Sequence, residues 1–476
     1  MLVNKEQFKS GLLIILVLMC LVLIQSIWFD IPSKQIQMVS VEENQRRIQE
    51  IREEIVVPRR VIVSFDKGQS SSYFAVLKHE DMVEAWFGSK IILHEFFNGN
   101  TEIVAVLGED RLMNKSGAFI ELEFGENIPS VLVSSIFESA GNNIVEKIKK
   151  IKKIVLPVFS VGTIYIYDAA GNIFEVTLKI YSYNDSLSRL VNNIEEGEFI
   201  KHYTLFSFVD SDVIMPLNYD VLLERVFVES KIDVEDESKI REIAQSFFNE
   251  NFDFVRMIKE TSGAVVYLYG FSEKTVRINP QGKLTYRKGI GNMFSSNVVE
   301  AFDAAIVFLE EQNQLPEGIY LTEVRSINNE SNRGYFFGFN YRIGKYPIYF
   351  SERDMNHSIE IEVFGNTITS YDASIREKMD VPAFIKREII MPPHVVIEKN
   401  IQLLKEKYAH EYGLEIGDIE NANIIRNIIT VEMVYYDTKE MRERQVLFPS
   451  WKIVTSETTY FFDAYRGSLI SSRRNN

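Results

Sequence analysis

Six histidines are the side chains in this chain best suited to hold a metal or to move a proton near neutral pH: His79, His94, His202, His357, His394 and His410. A helix-borne metal pair needs two ligands three or four residues apart, so that both point from one face. No two of these histidines have that spacing, so a metal site would have to be assembled from distant segments. Nucleophilic chemistry is no better served. No G-x-S-x-G turn occurs, and the only cysteine, Cys20, lies inside a long apolar run. Phosphate-cradling loops of the G-x-x-x-x-G-K-S/T or G-x-G-x-x-G kind are missing too; Gly289-Ile290-Gly291 is the nearest approach and lacks the third glycine. The acidic pair Glu310-Glu311 falls on the expected exposed side of a helix. Without a nucleophile, a base and an orienting group at readable spacing, the sequence predicts no enzyme, no cofactor and no metal.

The element that positions everything else is the run at residues 11–29, GLLIILVLMCLVLIQSIWF, which contains no charge. At about 1.5 Å per residue a helix of this length reaches about 28 Å, close to the ~30 Å hydrocarbon core of a bilayer. A buried core helix would show a polar face, and none appears before Gln25. A signal peptide would end in small residues, and residues 24–29 offer no such cleavage pattern. Lipid attachment at Cys20 is disfavoured because Met19 stands where a small residue is wanted. The expectation is therefore one uncleaved transmembrane helix at 10–29. Lys5 and Lys9 precede it, whereas Asp30 follows and the next basic residue is Lys34, so the tail at 1–9 is placed in the cytoplasm and the rest outside. Trp28 and Phe29 then sit at the outer interface, where aromatic rings are favoured.

Of the 476 residues, 46% are hydrophobic and 12% aromatic, enough to build several packed modules beyond the span. The net charge of -15 argues against nucleic acid as a partner and against broad adhesion to an anionic membrane surface. With no thiol outside the apolar run, the external part suits an oxidising exterior without relying on disulfides.

Along the chain, residues 30–57 read as a juxtamembrane helical linker whose apolar stripe includes Val41, Ile48, Ile51 and Ile55. An α+β domain is expected at 58–225. Its strands are read at 60–65, 74–77, 91–97, 102–107, 118–124, 163–168, 173–180 and 203–209, and its helices at 129–154 and 186–196. Within 129–154, Ile148, Ile151 and Ile154 recur every three residues, which predicts a helix end with its lysines in solvent. Three further passages each place an amphipathic helix before antiparallel strands: a middle module at 231–291 and two carboxyl-terminal modules at 297–376 and 394–472. Their helices are read at 237–249, 297–313 and 395–412, and a strand is read at 424–436.

The middle stretch runs from Phe247-Phe248-Asn249 through Val255-Arg256-Met257 to Val276-Arg277-Ile278 and Leu284-Thr285-Tyr286, and the later modules carry Phe339-Asn340-Tyr341. Together with the single amino-terminal span, this order of landmarks resembles the YycH family over essentially the whole chain. The carboxyl end, from Leu447-Phe448-Pro449-Ser450-Trp451 through Tyr460-Phe461-Phe462-Asp463-Ala464 to Gly467-Ser468-Leu469, is similar to PepSY-type helix-and-sheet modules. The resemblance implies an accessory regulator of the WalK (YycG) sensor histidine kinase, in a two-component system controlling cell-wall metabolism in Gram-positive bacteria. It implies that the chain works in complex with a YycI-like protein and acts through membrane spans. No short family motif assigns contact residues. In lipid, helix contacts rest on small side chains and side-chain hydrogen bonds, which makes Gly11, Gln25 and Ser26, with Trp28 at the interface, the candidate span contacts. Gln25 and Ser26 equally suit a plain position at the bilayer edge. A homodimer is left open, and the alternative is a wall-associated binding scaffold or an inhibitor of a cell-wall enzyme.

Overall fold

The computed structural model describes residues 41–65, 73–106, 117–139, 142–158, 162–179, 186–204, 213–219, 221–271, 273–289, 296–329, 332–350, 355–379, 388–438 and 444–475. The chain divides into two compact units, Met1–Glu50 and Ile51–Asn476. The described part of the first unit belongs to helix α1, Val41–Ile55, where the linker helix was expected. Ile51 and Ile55 of its stripe are buried in the second unit. The run at 11–29, with Gly11, Gln25, Ser26 and Trp28, lies outside the described residues. Among those described, no helix is long and apolar enough to cross a membrane.

The second unit begins with a nine-stranded antiparallel sheet. Its strands are β1 (Arg60–Ser64), β2 (Phe74–Val76), β3 (Thr101–Val106), β4 (Phe119–Pro129), β5 (Lys150–Pro157), β6 (Thr163–Asp168), β7 (Ile173–Leu178), β8 (Lys201–Thr204) and β9 (Ile214–Pro216). They lie in the order β9-β8-β2-β1-β4-β5-β6-β7-β3. Two sequence expectations fail here. Residues 91–97 are not a strand but the end of helix α2, His79–Asn98. This helix buries Met82, Ala85, Trp86, Ile92, Leu93, Phe96 and Phe97 while Val83, Phe87 and Ile91 stay exposed, so apolar residues on two faces hide the helical period. The expected helix at 129–154 is instead two short helices, α3 (Ser130–Ser135) and α4 (Asn143–Lys147), followed by β5. The register of β5 against β6 shifts between Ile151 and Lys153. That bulge brings Ile151 and Ile154 to one side, and a three-residue spacing imitates a helix. Helix α5, Ser186–Glu196, lies where it was expected and packs beside α2.

A second antiparallel sheet is built from β12 (Arg256–Lys259), β13 (Val265–Tyr269), β14 (Lys274–Ile278), β15 (Leu284–Lys288), β16 (Tyr320–Asn329), β17 (Asn332–Asn340), β20 (Ile359–Phe364) and β21 (Thr367–Ala373). Its order is β12-β13-β14-β15-β21-β20-β17-β16. The strands of the middle passage and of the passage after it thus share one sheet, through β15 against β21. Helices α6 (Glu237–Phe248) and α7 (Val298–Glu311) cover it. Asn297 caps α7 in a reciprocal box with Glu300, and Val298, Phe302, Ala305, Ile306 and Leu309 are all buried, as their spacing predicts. Phe302 alone, stacked on Phe339 and tilted against Phe337, contributes about 2–3 kcal/mol by burial. A parallel bridge, Glu323 opposite Glu126, joins β16 to β4 and makes the two sheets one 17-stranded network.

The third sheet gathers strands from far along the chain: β11 (Val226–Ser230), β18 (Arg342–Ile343), β19 (Tyr346–Phe350), β22 (Arg376–Lys378), β24 (Ile428–Asp437), β25 (Arg444–Thr455), β26 (Thr458–Asp463) and β27 (Leu469–Arg474). A separate pair is formed by β10 (Leu222–Leu223) and β23 (Glu388–Ile389). Strand β19 runs parallel to β24, and β11 lies between β22 and the start of β25. Strand pairing therefore crosses between the two carboxyl-terminal passages. Helices α8 (Pro393–Lys399), α9 (Ile401–Tyr412) and α10 (Asn421–Asn427) accompany this sheet. The helix expected at 395–412 is interrupted at Asn400, whose side chain donates to the carbonyls of Val396 and Gly467. Residues 424–427, expected in a strand, belong to α10, whose start is fixed by the Asn423 side chain accepting from the Glu420 backbone N–H at 3.0 Å, and only Ile424 of the helix is buried.

Candidate functional site

Where Pro58 follows the end of α1, two arginines begin the first sheet. Arg60 opens β1 directly opposite Glu123 of β4. Its guanidinium grips that carboxylate with a two-point fork, Nε to Oε2 at 2.7 Å and Nη2 to Oε1 at 3.0 Å, and Arg59 adds a contact at 3.7 Å. Burial alone would raise the Glu123 carboxyl, but Arg60 and Arg59 outweigh it and hold it at about 2. Lys153 of β5 donates to Glu121 at 2.9 Å and lies over the Tyr167 ring at 4.4 Å; burial nevertheless pushes the Glu121 carboxyl up.

Across from this network stands a second one, from the third sheet. Glu432 of β24 and Lys452 of β25 are register partners, with Nζ and Oε2 3.7 Å apart, and Lys452 donates to the Tyr349 hydroxyl at 2.7 Å. Arg342 of β18 bridges the two sides. It stacks on Tyr320 at 4.0 Å and donates from Nη2 to the carbonyl of Arg59 at 2.8 Å.

Between the networks lies a cavity of about 80 Å³. That is room for several waters, each needing roughly 10–15 Å³. Its apolar wall comes from Tyr219, Tyr346, Met433 and Trp451, with the Tyr219 and Tyr346 hydroxyls 3.3 Å apart. Its polar wall holds Arg59, Arg60, Lys78, Arg342 and Lys345 against one carboxylate, Glu432. His79 and His202 also face it. Burial lowers both imidazoles, that of His202 to about 4, so His202 is neutral and its Nδ1–H donates to the Ile200 carbonyl at 2.8 Å. Among the described residues, three buried polar atoms on this wall have no hydrogen-bond partner: Arg60 Nη1, His79 Nδ1 and Glu432 Oε2.

A further histidine sits at the seam between the first two sheets. His357 places Nε2 2.8 Å from Glu323 Oε2 and Nδ1 2.9 Å from the Thr322 hydroxyl, which itself donates to the Gly338 carbonyl at 2.8 Å. Burial would raise the Glu323 carboxyl, but His357 and Arg325 prevail and lower it.

The comparisons with known proteins agree with this architecture. Residues 6–195 match the family described as YycH protein, N-terminal domain. The crystal structure of YycH from Bacillus subtilis matches over 85% of this chain and 95% of that one, with a TM-score of 0.52 at 14% identity, which is a likeness of fold.

Residues 6–195 belong to the YycH family as its amino-terminal domain.

Two other solved structures show partial likeness to this chain. A protein from Eubacterium rectale covers 55% of this chain and 90% of its own, with a TM-score of 0.36 at 14% identity. The YpeB C-terminal domain of Bacillus megaterium covers 51% and 98%, with a TM-score of 0.24 at 15% identity. No curated protein sequence matches the chain.

Of the six histidines, the fold brings His79 and His202 to one cavity and leaves the others apart. His357 is at the sheet seam, His94 packs edge-on to Phe137, and His394 has a buried Nδ1 without a partner among the described residues. Among the described residues no group of three or more His, Cys, Asp or Glu side chains could hold a metal. The cavity residues carried one local signal, the pair Arg59-Arg60 at the start of a strand that is otherwise wholly buried. Arg342, Lys345 and Glu432 had none, because their neighbours in space are far away in sequence. The family fold also leaves two apolar groups in solvent: Val83, Phe87 and Ile91, spaced by one turn along α2, and Phe254, Met257, Ile258 and Phe271 around the edge strand β12.

Proposed function

We propose that this YycH-family chain is a single-span membrane protein whose external part modulates the WalK (YycG) sensor histidine kinase, in complex with a YycI-like protein. The observation that carries the reading is the extent of the family match. It begins at residue 6, so it takes in the uncharged run at 11–29 together with the whole of strands β1 to β7. Span and first sheet are in this reading parts of one inherited unit. The tail at 1–9 lies in the cytoplasm, the span occupies 10–29, and all that follows is extracellular.

Regulation through the membrane requires that kinase and YycI-like helices contact this span differently in two signalling states, since binding both states equally would shift nothing. Gly11 offers a close approach, Gln25 and Ser26 offer hydrogen bonds within lipid, and Trp28 fixes the depth of the outer end. The external modules set the position of the span.

The test exchanges residues 10–29 of the full chain for an unrelated apolar span of equal length and reads kinase-dependent transcription in cells lacking the native copy. The expected result is a chain still in the membrane fraction that no longer regulates. Full regulation by the exchanged chain would remove the signalling role from the span and leave a tethered scaffold. Recovery of the unaltered chain in the soluble fraction would remove the anchor.

A further inference from the structure

We propose that the cavity between the start of β1, the amino end of α2 and the β18–β19 turn binds a small oxyanion of phosphate type, either free phosphate or the end group of a phosphate monoester. This goes beyond the regulatory reading and stands without it. In a chain of net charge -15, five basic side chains line this one space beside the carboxylate of Glu432. Glu123 pairs with Arg59 and Arg60, so the excess positive charge rests mainly on Lys78, Arg342 and Lys345, and an anion among them would relieve their mutual repulsion.

Donor groups from three separate parts of the chain line the cavity. Arg60 is 8% exposed and spends Nε and Nη2 on Glu123, which leaves the buried Nη1 with no partner among the described residues. A buried guanidinium N–H without an acceptor is costly, so the wall is built to donate to something in the cavity. The 20-residue helix α2 begins at the cavity with Lys78 in the cap position, and no side chain caps it. Its first N–H groups and the positive end of its dipole are therefore available to an anion. Glu80 and Asp81 in the same first turn are exposed to solvent. From the third side come Arg342 and the exposed Lys345 of the β18–β19 turn. A tetrahedral phosphate can meet donors from three directions at once, whereas a planar carboxylate presents only two oxygens. The volume admits a group of this size and stops well short of a nucleotide.

The experiment is calorimetric titration of the full-length chain in detergent micelles with inorganic phosphate, at ionic strength held constant with chloride. Saturable one-site binding is expected. Lys345→Glu lies on an exposed turn and should keep the parent unfolding transition in chloride while weakening phosphate at least tenfold; Arg342→Met should abolish binding. Glycerol phosphate that displaces inorganic phosphate supports a monoester end group as the ligand, and failure to displace it supports free phosphate. The proposal is overturned if phosphate gives no saturable signal beyond chloride, if acetate binds as tightly as phosphate, or if the folded Lys345→Glu chain titrates like the parent.

Discussion

Arg376 and Asp437 form an ion pair, Nε to Oδ2 at 2.8 Å, with side chains only 1% and 0% exposed. Arg376 opens β22 and Asp437 ends β24, so the pair joins the strand that leaves the second sheet to the middle of the third. The Arg376 backbone N–H also donates to the Tyr341 hydroxyl at 2.6 Å. Such a pair gains little over an apolar replacement, but removing one partner strands the other charge. Asp437→Ala should therefore cost about 3–5 kcal/mol in urea unfolding, while the double replacement Arg376→Met with Asp437→Leu should recover much of that loss. Equal losses for the single and double variants would show that the pair itself contributes net stability.

His202 makes stability depend on pH in a defined window. Its folded value near 4 lies below its ordinary 6.5, so between these values the unfolded chain takes up a proton that the folded chain refuses. Stability should fall as the pH drops from 6.5 towards 4, by about 3 kcal/mol in total for this one group. His202→Phe should flatten the profile in that window when urea midpoints are compared with the parent. An unchanged slope would assign the pH dependence to other groups.

Gly125 sits in the bulged stretch of β4, where a Cβ would lie 2.1 Å from the backbone oxygen of Thr322 in β16. No rotamer relieves a clash with backbone, so Gly125→Ala must push the two sheets apart at their seam. A loss of about 3 kcal/mol is expected, at the upper end for overpacking. Faster amide exchange should appear along β16. Gly171→Ala serves as the control. Gly171 has φ +88 and open space around it, and its substitution should cost only about 1–2 kcal/mol of left-handed strain.

Phe271 is fully exposed and holds φ 51 in the turn between β13 and β14, a conformation that suits Asn or Gly far better. Phe271→Asn should raise stability by about 0.5–1 kcal/mol, read from the thermal midpoint, and lessen self-association. A fall in stability would mean that the ring packs usefully despite its exposure.

Much of the local structure was legible because it depends on neighbours in sequence. The alternation in TIYIYD marks β6 at Thr163–Asp168, and the capped stripe from Asn297 marks α7, since period and cap are local properties. Legibility failed where one stretch satisfied two periods. Helix α2 carries apolar residues on both its buried and its exposed face, and the bulge in β5 spaces its isoleucines like a helix. What composition and order alone determined is the α+β class, the sequence of helix-then-strand passages and the resemblance to the YycH family. What only the tertiary structure decided is which strands share a sheet and which charges meet. Strand β11 can lie against β25, and Arg60, His79, Arg342 and Glu432 can enclose one cavity, only after chain segments hundreds of residues apart have been packed together. Register between distant strands and the pairing of buried charges are set by that packing, and no period along the chain encodes them.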